Sequence, residues 1–323
     1  MPVTDHVAPL TLEMVREAHA RIRPYVNHTP VLTSETLDAR SGASLFFKCE
    51  NFQNVGAFKA RGATNAVLAL SDDEAARGVV THSSGNHAAA LARAAGIRGV
   101  PAHIVMPSNA PRVKIEAVRR YGGQVTLCEP TLEAREAAAA GIVAETGAAF
   151  VHPYDDPRVM AGQGTAALEL LGEVPDLDVI LCPVGGGGLL SGVATVARAL
   201  SPAIRVVGIE PAEADDAARS FRAGRVIPLG PTTTIADGLR TSLSERTFAH
   251  IRRLVDDIRT VGEDAIVHAM RTQWEVLKIV VEPSGAVSYA PFVDDPRWLA
   301  GSRVGLIVSG GNIDLDALPW SIA

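Results

Sequence analysis

The chain has 323 residues, of which 47% are hydrophobic, 20% charged and 5% aromatic, and its formal net charge is −6. At about 150 residues per domain this length corresponds to two domains, and the composition excludes fibrous and disordered proteins. The negative charge predicts no nucleic-acid or membrane partner. Only four of the 30 cationic residues are lysines, Lys48, Lys59, Lys114 and Lys278. A lysine, unlike an arginine, can become neutral and form a Schiff base.

Short runs rich in Val and Ile alternate with longer Ala-rich segments of helical spacing, a pattern typical of βα units around a parallel sheet. In chain order we predict helix 12–23, strand 44–49, helix 60–71, strand 78–81, helix 86–95, strand 102–106, helix 111–121, strand 124–128, helix 132–145, helix 162–171, strand 179–183, helix 189–200, strand 205–209, helix 263–275 and strand 303–309.

These units form two clusters, joined by a turn-rich stretch at residues 152–157. We therefore expect an α/β protein of two domains, each a mostly parallel twisted sheet flanked by helices. The large domain would be discontinuous, with residues 1–66 and 153–323, and the small domain would comprise residues 67–152.

The cysteines and the N-terminal sequence indicate the compartment. Cys49, Cys128 and Cys182 are widely spaced and form no C-x-x-C pair, which fits a reducing cytosol better than a disulfide framework or a structural zinc site. The first residues include acids and lack the apolar core of a signal peptide. No apolar run approaches the length of a transmembrane helix, so we expect a cytoplasmic protein.

Lys59 follows a polar, glycine-containing loop and begins an Ala-rich predicted helix. The positive end of the helix dipole disfavours an ammonium group there and lowers its pKa, which suits an amine nucleophile. By position alone, an exposed lysine at a helix start is the favoured interpretation.

Residues 81–87 connect a predicted strand to a predicted helix and supply Ser83, Ser84, Asn86 and His87 within one turn. Such donors, together with the free N–H groups of a helix N-terminus, can bind a carboxylate or a phosphate. An ordinary helix cap with a glycine turn would leave a similar sequence.

Four consecutive glycines, residues 185–188, follow an apolar strand and precede a helix. They expose backbone N–H groups with no Cβ to keep a phosphate away, and they match neither a P-loop nor the G-x-G-x-x-G pattern. A buried strand ends at Ser309, and ligands of parallel sheets lie beyond such strand ends. With Lys59, these motifs suit a phosphorylated aldehyde, and pyridoxal phosphate fits.

The motifs together resemble the pyridoxal phosphate enzymes of the tryptophan synthase β-subunit fold, in their threonine dehydratase and serine racemase branch. The resemblance covers nearly the whole chain, because the four motifs match in order and spacing. It implies a cofactor in the cleft between the domains, bound as a Schiff base to Lys59. The other implied cofactor contacts are Phe58 on one ring face, Asn86 at the ring hydroxyl, Gly185, Gly186, Gly187 and Gly188 at the phosphate, and Ser309 at the pyridine nitrogen.

The same resemblance implies that Lys59 removes the substrate Cα proton and that loss of the β-hydroxyl gives an aminoacrylate, which hydrolyses to a 2-oxo acid and ammonia. We therefore expect dehydration and deamination of a 3-hydroxy amino acid, L-threonine first and L-serine second. The implied substrate-binding residues are Ser83, Ser84, Asn86, His87, Arg135 and Ser242.

Three alternatives remain open. Serine racemisation needs a second acid/base group on the opposite ring face, and Ser84 matches the serine that racemases use there. A threo-3-hydroxyaspartate dehydratase is possible because Arg135 could face a side-chain carboxylate. Outside the enzymes, a noncatalytic metabolite-binding relative would not need a Schiff-base lysine.

A divalent cation and a second subunit are the remaining implications of the resemblance. Glu210, Asp216 and the carbonyl of Ala214 match a cation site in this branch, and oxygen ligands suit Mg²⁺, or Ca²⁺ or Mn²⁺. A solvated acidic loop is the alternative. Members of this family are commonly homodimers.

Overall fold

Two separate β-sheets organise the computed structural model, which describes residues 8–83, 85–110 and 112–320. The larger sheet has six strands in the order β1-β2-β10-β7-β8-β9, all parallel except β1, which pairs antiparallel with β2. Its strands are β1 (Val31–Leu32), β2 (Ser44–Cys49), β7 (Val179–Pro183), β8 (Arg205–Pro211), β9 (Asp257–Val261) and β10 (Arg303–Val308).

The smaller sheet has four parallel strands in the order β5-β4-β3-β6. They are β3 (Val79–His82), β4 (Ala102–Pro107), β5 (Gln124–Cys128) and β6 (Ala149–Phe150). The smaller sheet thus comes from one continuous stretch of chain, and the larger sheet from the segments on either side of it. The α/β class with parallel sheets is confirmed. The domain boundaries remain a proposal, and the one between residues 66 and 67 falls inside a helix.

Helices flank both sheets and carry most of the chain between the strands. Their bounds are α1 (Leu12–Ile22), α2 (Glu35–Ser41), α3 (Lys59–Leu68), α4 (Asp72–Ala76), α5 (Asn86–Arg98), α6 (Arg112–Arg120), α7 (Leu132–Thr146), α8 (Pro157–Glu173), α9 (Gly188–Leu200), α10 (Asp216–Ala223), α11 (Glu245–Leu254), α12 (Glu263–Thr272), α13 (Pro283–Ala286) and α14 (Pro291–Asp294). None of the helices in these described segments is long and apolar enough to cross a membrane.

Helix α8 begins at Pro157, not at residue 162 as the sequence suggested. Asp156 caps it by accepting from the N–H of Arg158, and proline suits the first helical position because it needs no N–H there. The glycines at 162 and 164 lie inside the helix, as predicted, at points where neighbouring atoms leave no space for a side chain. A Cβ on Gly162 would lie 2.6 Å from the Cα of Gly62 in α3.

A similar contact joins α8 to α9, where a Cβ on Gly192 would lie 2.6 Å from the nitrogen of Gly164. Helix α8 is therefore held between α3 and α9 at glycine contacts, and this packing fixes where α3 begins relative to the larger sheet. Since α3 begins with Lys59, these contacts also place the candidate nucleophile.

We predict that Gly162→Ala lowers the free energy of unfolding by about 3 kcal/mol, the upper range for overpacking a dense core, because the clashing atoms are backbone. Gly141→Ala is the control: Gly141 lies exposed inside α7 with nothing within 4 Å of an added Cβ. It should raise the free energy of unfolding by about 0.5–1 kcal/mol, the helix cost of glycine. Urea unfolding followed by circular dichroism measures both, and equal effects would contradict the packing argument.

Candidate active site

A cavity of about 760 Å³ is lined by residues of both sheets and their helices. Its lining contains nearly all of the cofactor and substrate residues expected from the sequence. They are Phe58, Lys59, Ser83, Asn86, His87, Arg135, Gly185, Gly186, Gly187, Gly188, Ser242 and Ser309. Ser84 lies outside the described residues. The expected metal residues are not in this lining.

Lys59 is half-buried at the first position of α3, and its Nζ donates to the carbonyl oxygen of Pro153 at 2.8 Å. The Nζ also lies 5.1 Å from the ring centroid of Phe58. Burial lowers the pKa of the Lys59 amine to about 8. Burial disfavours the charged form of the amine. A large fraction of the amine is therefore neutral and nucleophilic near pH 8.

The segment after β3 turns directly into α5, which begins at Asn86. Asn86 donates from Nδ2 to Glu282 Oε1 at 2.8 Å, and its Oδ1 accepts from Asn312 Nδ2 at 2.9 Å. The ring of His87 is buried, and its Nε2 lies 3.4 Å from the carbonyl oxygen of Val151. Burial, assisted by the charge of Lys59, holds the His87 pKa well below 6.5, so this imidazole is neutral.

The four glycines form the turn between β7 and α9, with Gly187 at a φ of +85°. An added Cβ would lie 2.9 Å from Leu239 Cα at Gly185, and 2.4 Å from the ring of Tyr154 at Gly186. The loop therefore has no room for side chains at these two positions. Its backbone and the N-terminus of α9 line the cavity, the arrangement that binds a phosphate, so these residues fit a phosphorylated cofactor.

Ser309 directly follows β10, and its backbone carbonyl accepts from the N–H of Phe58 at 3.0 Å. Its hydroxyl donates to the carbonyl oxygen of Ser284 at 3.3 Å. The end of β10 is thereby tied to the loop that precedes Lys59. This contact brings the residue expected at the pyridine nitrogen and the candidate nucleophile into one hydrogen-bonded unit.

Glu282 and Tyr154 are among the cavity residues that the sequence did not predict. Glu282 is 4% exposed, and burial together with Asp237 raises its pKa to about 8, although hydrogen bonds from Asn86 and Asn312 and the charge of Lys114 oppose this. The Tyr154 ring rests on Gly186, and burial raises the pKa of its hydroxyl to about 12. A turn-rich connection contains Tyr154, but no local pattern identifies Glu282.

Charged side chains line the outer part of the cavity. Lys114 of α6 pairs with Asp237, which joins the smaller-sheet side to the larger-sheet side. The Nε of Arg135 donates to the carbonyl oxygen of Thr131 at 3.2 Å, and among the described ion pairs none includes Arg135. Ser242 Oγ accepts from the N–H of Leu229 at 2.8 Å. Arg135 therefore remains available to a ligand anion.

The acidic loop lies away from the cavity lining. Both oxygens of Glu210 accept backbone N–H bonds, from Ala217 and Ala218, at 2.9 Å. Asp216 is fully buried, and neither of its oxygens makes a regular hydrogen bond to any described residue. Within residues 8–83, 85–110 and 112–320, no group of three His, Cys, Asp or Glu side chains converges on a metal site.

The cavity between the two sheets brings a lysine at a helix start together with a glycine loop at a strand end. This arrangement is typical of an enzyme that holds a phosphorylated aldehyde. The chain belongs to the family of pyridoxal-phosphate-dependent enzymes, whose family model matches residues 22–310. The resemblance expected from the sequence is confirmed.

Similar proteins narrow the branch. A serine racemase of Oryza sativa subsp. indica is 53% identical over 97% of this chain and 94% of its own length. A beta-hydroxyaspartate dehydratase of Paracoccus denitrificans is 52% identical over 96% of this chain and 99% of its own length. The solved structure of maize serine racemase superposes with a TM-score of 0.93 at 49% identity, covering 98% of this chain and 97% of that one.

We predict that the cofactor-free protein reacts with pyridoxal phosphate at a rate that rises with pH and is half-maximal near pH 8, where the Lys59 amine loses its proton. An ordinary lysine would require about pH 10.4. Stopped-flow visible absorbance measures the rate. Lys59→Arg, which keeps a cation but cannot form the imine, should leave the absorbance of free pyridoxal phosphate unchanged, and a midpoint above pH 10 would contradict a desolvated amine.

Proposed function

We propose that the chain is an ammonia-lyase for 3-hydroxy amino acids, with 3-hydroxyaspartate as its preferred substrate and serine as the next. The observation that carries this proposal is Arg135, a guanidinium on the cavity wall outside the ion pairs of the described residues. The acids nearest the cavity are already engaged, Asp237 by Lys114 and Glu282 by Asn86. A second substrate carboxylate would give Arg135 its partner.

Bound pyridoxal phosphate would supply the aldehyde that takes the substrate amine and the electron sink for the Cα electrons. The residues of the chain do the remainder. Lys59, with its pKa near 8, suits proton removal from Cα. Ser83 and the backbone N–H groups at the start of α5, including that of Asn86, would hold the α-carboxylate, to which neutral His87 adds no charge. The net products are a 2-oxo acid and ammonia.

The sequence predicted L-threonine as the first substrate. The relatives described above do not support this prediction, because their names refer to serine and hydroxyaspartate. L-Threonine therefore enters the tests as a comparison substrate. Serine racemisation is the second candidate function, because two of those relatives are serine racemases and because Ser84 matches the proton-returning serine of racemases. A noncatalytic relative would not need the activated amine of Lys59.

We predict that Arg135→Met lowers kcat/KM for 3-hydroxyaspartate about 10- to 100-fold, the range for losing a charged hydrogen bond, and changes serine turnover much less. Arg135→Lys keeps the charge and should retain part of the preference. Coupled assays of 2-oxo acid formation from 3-hydroxyaspartate, serine and threonine measure this. Equal losses on all three substrates would contradict a carboxylate contact.

Chiral chromatography of the same L-serine reactions measures the racemase alternative. Comparable amounts of D-serine and pyruvate would make racemisation a main activity. Absence of D-serine while pyruvate accumulates would leave elimination alone.

We also propose a Mg²⁺ ion, or a similar hard cation, at Asp216, Glu210 and the carbonyl of Ala214. The support is the buried carboxyl group of Asp216 without regular hydrogen bonds. Burial raises its pKa to about 7, and a bound cation would hold it ionised, since a buried anion requires a partner. Oxygen ligands completed by water suit such an ion. The homodimer implied by the resemblance is likewise a proposal, which the molar mass in solution tests.

We predict that chelation lowers the unfolding temperature of the protein and that Mg²⁺ restores it, because a ligand bound only to the folded state stabilises it by about 2.7 kcal/mol at 100 times its Kd. Asp216→Ala should abolish the response. Asp215→Ala is the control, because Asp215 pairs with Arg219. Calorimetry measures the shift, and indifference of the unmodified protein to chelator would identify an ordinary acidic loop.

A further inference from the structure

Glu282 is a buried carboxyl group on the cavity wall that makes no ion pair within the described part of the chain. Its Oε1 accepts from Asn86 Nδ2 at 2.8 Å, and its Oε2 accepts from the backbone N–H of Asn312 at 3.1 Å. Both partners are donors. The expected function assigns no role to this carboxyl group.

The hydrogen bonds fix which way round the amide of Asn86 lies. Asn312 Nδ2 donates to the carbonyl oxygen of Val55 at 2.6 Å and to Asn86 Oδ1 at 2.9 Å. A flipped Asn86 would set its oxygen against the Glu282 carboxyl and its NH₂ against the NH₂ of Asn312. An amide has one acceptor and two N–H donors, so only one N–H of Asn86 remains for the cavity.

The surrounding backbone is shaped for these groups. A Cβ on Gly310 would lie 2.3 Å from Glu282 Oε1, and a Cβ on Gly56 would lie 2.4 Å from Asn312 Oδ1. Glycine at both positions lets the chain close around the network. The network also crosses the cavity, since Asn86 begins α5 beside the smaller sheet, whereas Glu282 and Asn312 flank the end of β10.

We propose that Glu282 is a positioning residue that acts through Asn86, holding its amide so that Asn86 can only donate to the cofactor. The ring oxygen that meets Asn86 must then accept a hydrogen bond, which favours its deprotonated form. The inference rests on the family's cofactor and on the ring contact expected for Asn86. It does not depend on which amino acid is the substrate.

Glu282→Gln tests this proposal at constant size. It replaces one acceptor with an NH₂ group that faces an N–H donor, so the orientation of Asn86 is no longer determined. We expect the Kd for pyridoxal phosphate to rise about 10- to 100-fold, the range for an unsatisfied buried group, and the visible absorbance maximum of the bound cofactor to shift. Equilibrium dialysis and absorbance spectra measure both, without substrate.

Ser288→Ala is the matched control, because Ser288 is also buried near β10 and donates one hydrogen bond, at 3.0 Å, to the carbonyl oxygen of Ile307. It should lower stability without moving the absorbance maximum. If Glu282→Gln does not fold, Asn312→Ala releases the same amide from an exposed position and should produce the same shift.

A double-mutant cycle decides whether Glu282 acts through Asn86. In an Asn86→Ala background, Glu282→Gln should change the Kd less than twofold. An undiminished change there, or a Glu282→Gln protein with the Kd and spectrum of the unmodified protein, would overturn the proposal. Failure of 3-hydroxyaspartate turnover would refute the proposed function and leave these outcomes unaffected.

Discussion

A buried cluster of four charges holds together the elements that place the active lysine. Arg61 lies in α3 with no exposed surface and binds Glu50 and Glu169, each at 2.7 Å, while Lys48 reaches Glu169 at 2.8 Å. Burial alone would raise the pKa of Glu169, but Arg61 and Lys48 lower it to about 2. Removing one member would strand a buried charge, a loss of about 3–5 kcal/mol. The cluster ties α3 to the end of β2 and to α8. It therefore fixes the position of the first turn of α3, which contains Lys59.

The residues at the start of α3 make the next contacts around the cavity. Phe58 bonds to the strand end at Ser309, and Lys59 reaches the connection at Pro153. One short segment thus contacts both the larger sheet and the connection that leads from the smaller sheet back to it. Closure of the cavity and presentation of the amine are therefore parts of the same packing arrangement. The family's chemistry needs both, since a Schiff base forms best where water is excluded from the amine.

Most of the fold and of the cofactor site could be predicted from local patterns in the sequence. The glycine loop and Lys59 were recognisable because each motif is contiguous. Strand β9 was missed because its sequence, Asp-Ile-Arg-Thr-Val, has charges and lies at a sheet edge. Glu282 was missed because its partner Asn86 is 196 residues away, and a single glutamate before a proline carries no periodic signal. The start of α8 was predicted five residues too late, because the turn-forming residues up to Pro157 resemble a connecting loop, although proline also suits the first position of a helix.

The scarcity of lysine has a consequence for chemical labelling. Lys48 is wholly buried among opposite charges, Lys114 pairs with Asp237, and Lys278 is exposed. An amine-selective reagent therefore meets four side chains in four different environments. Modification of Lys278 reports only that reagent is present, whereas modification of Lys48 requires the core to open. The ratio of the two modification rates therefore reports the fraction of molecules in which the core is open, with no label introduced by mutation.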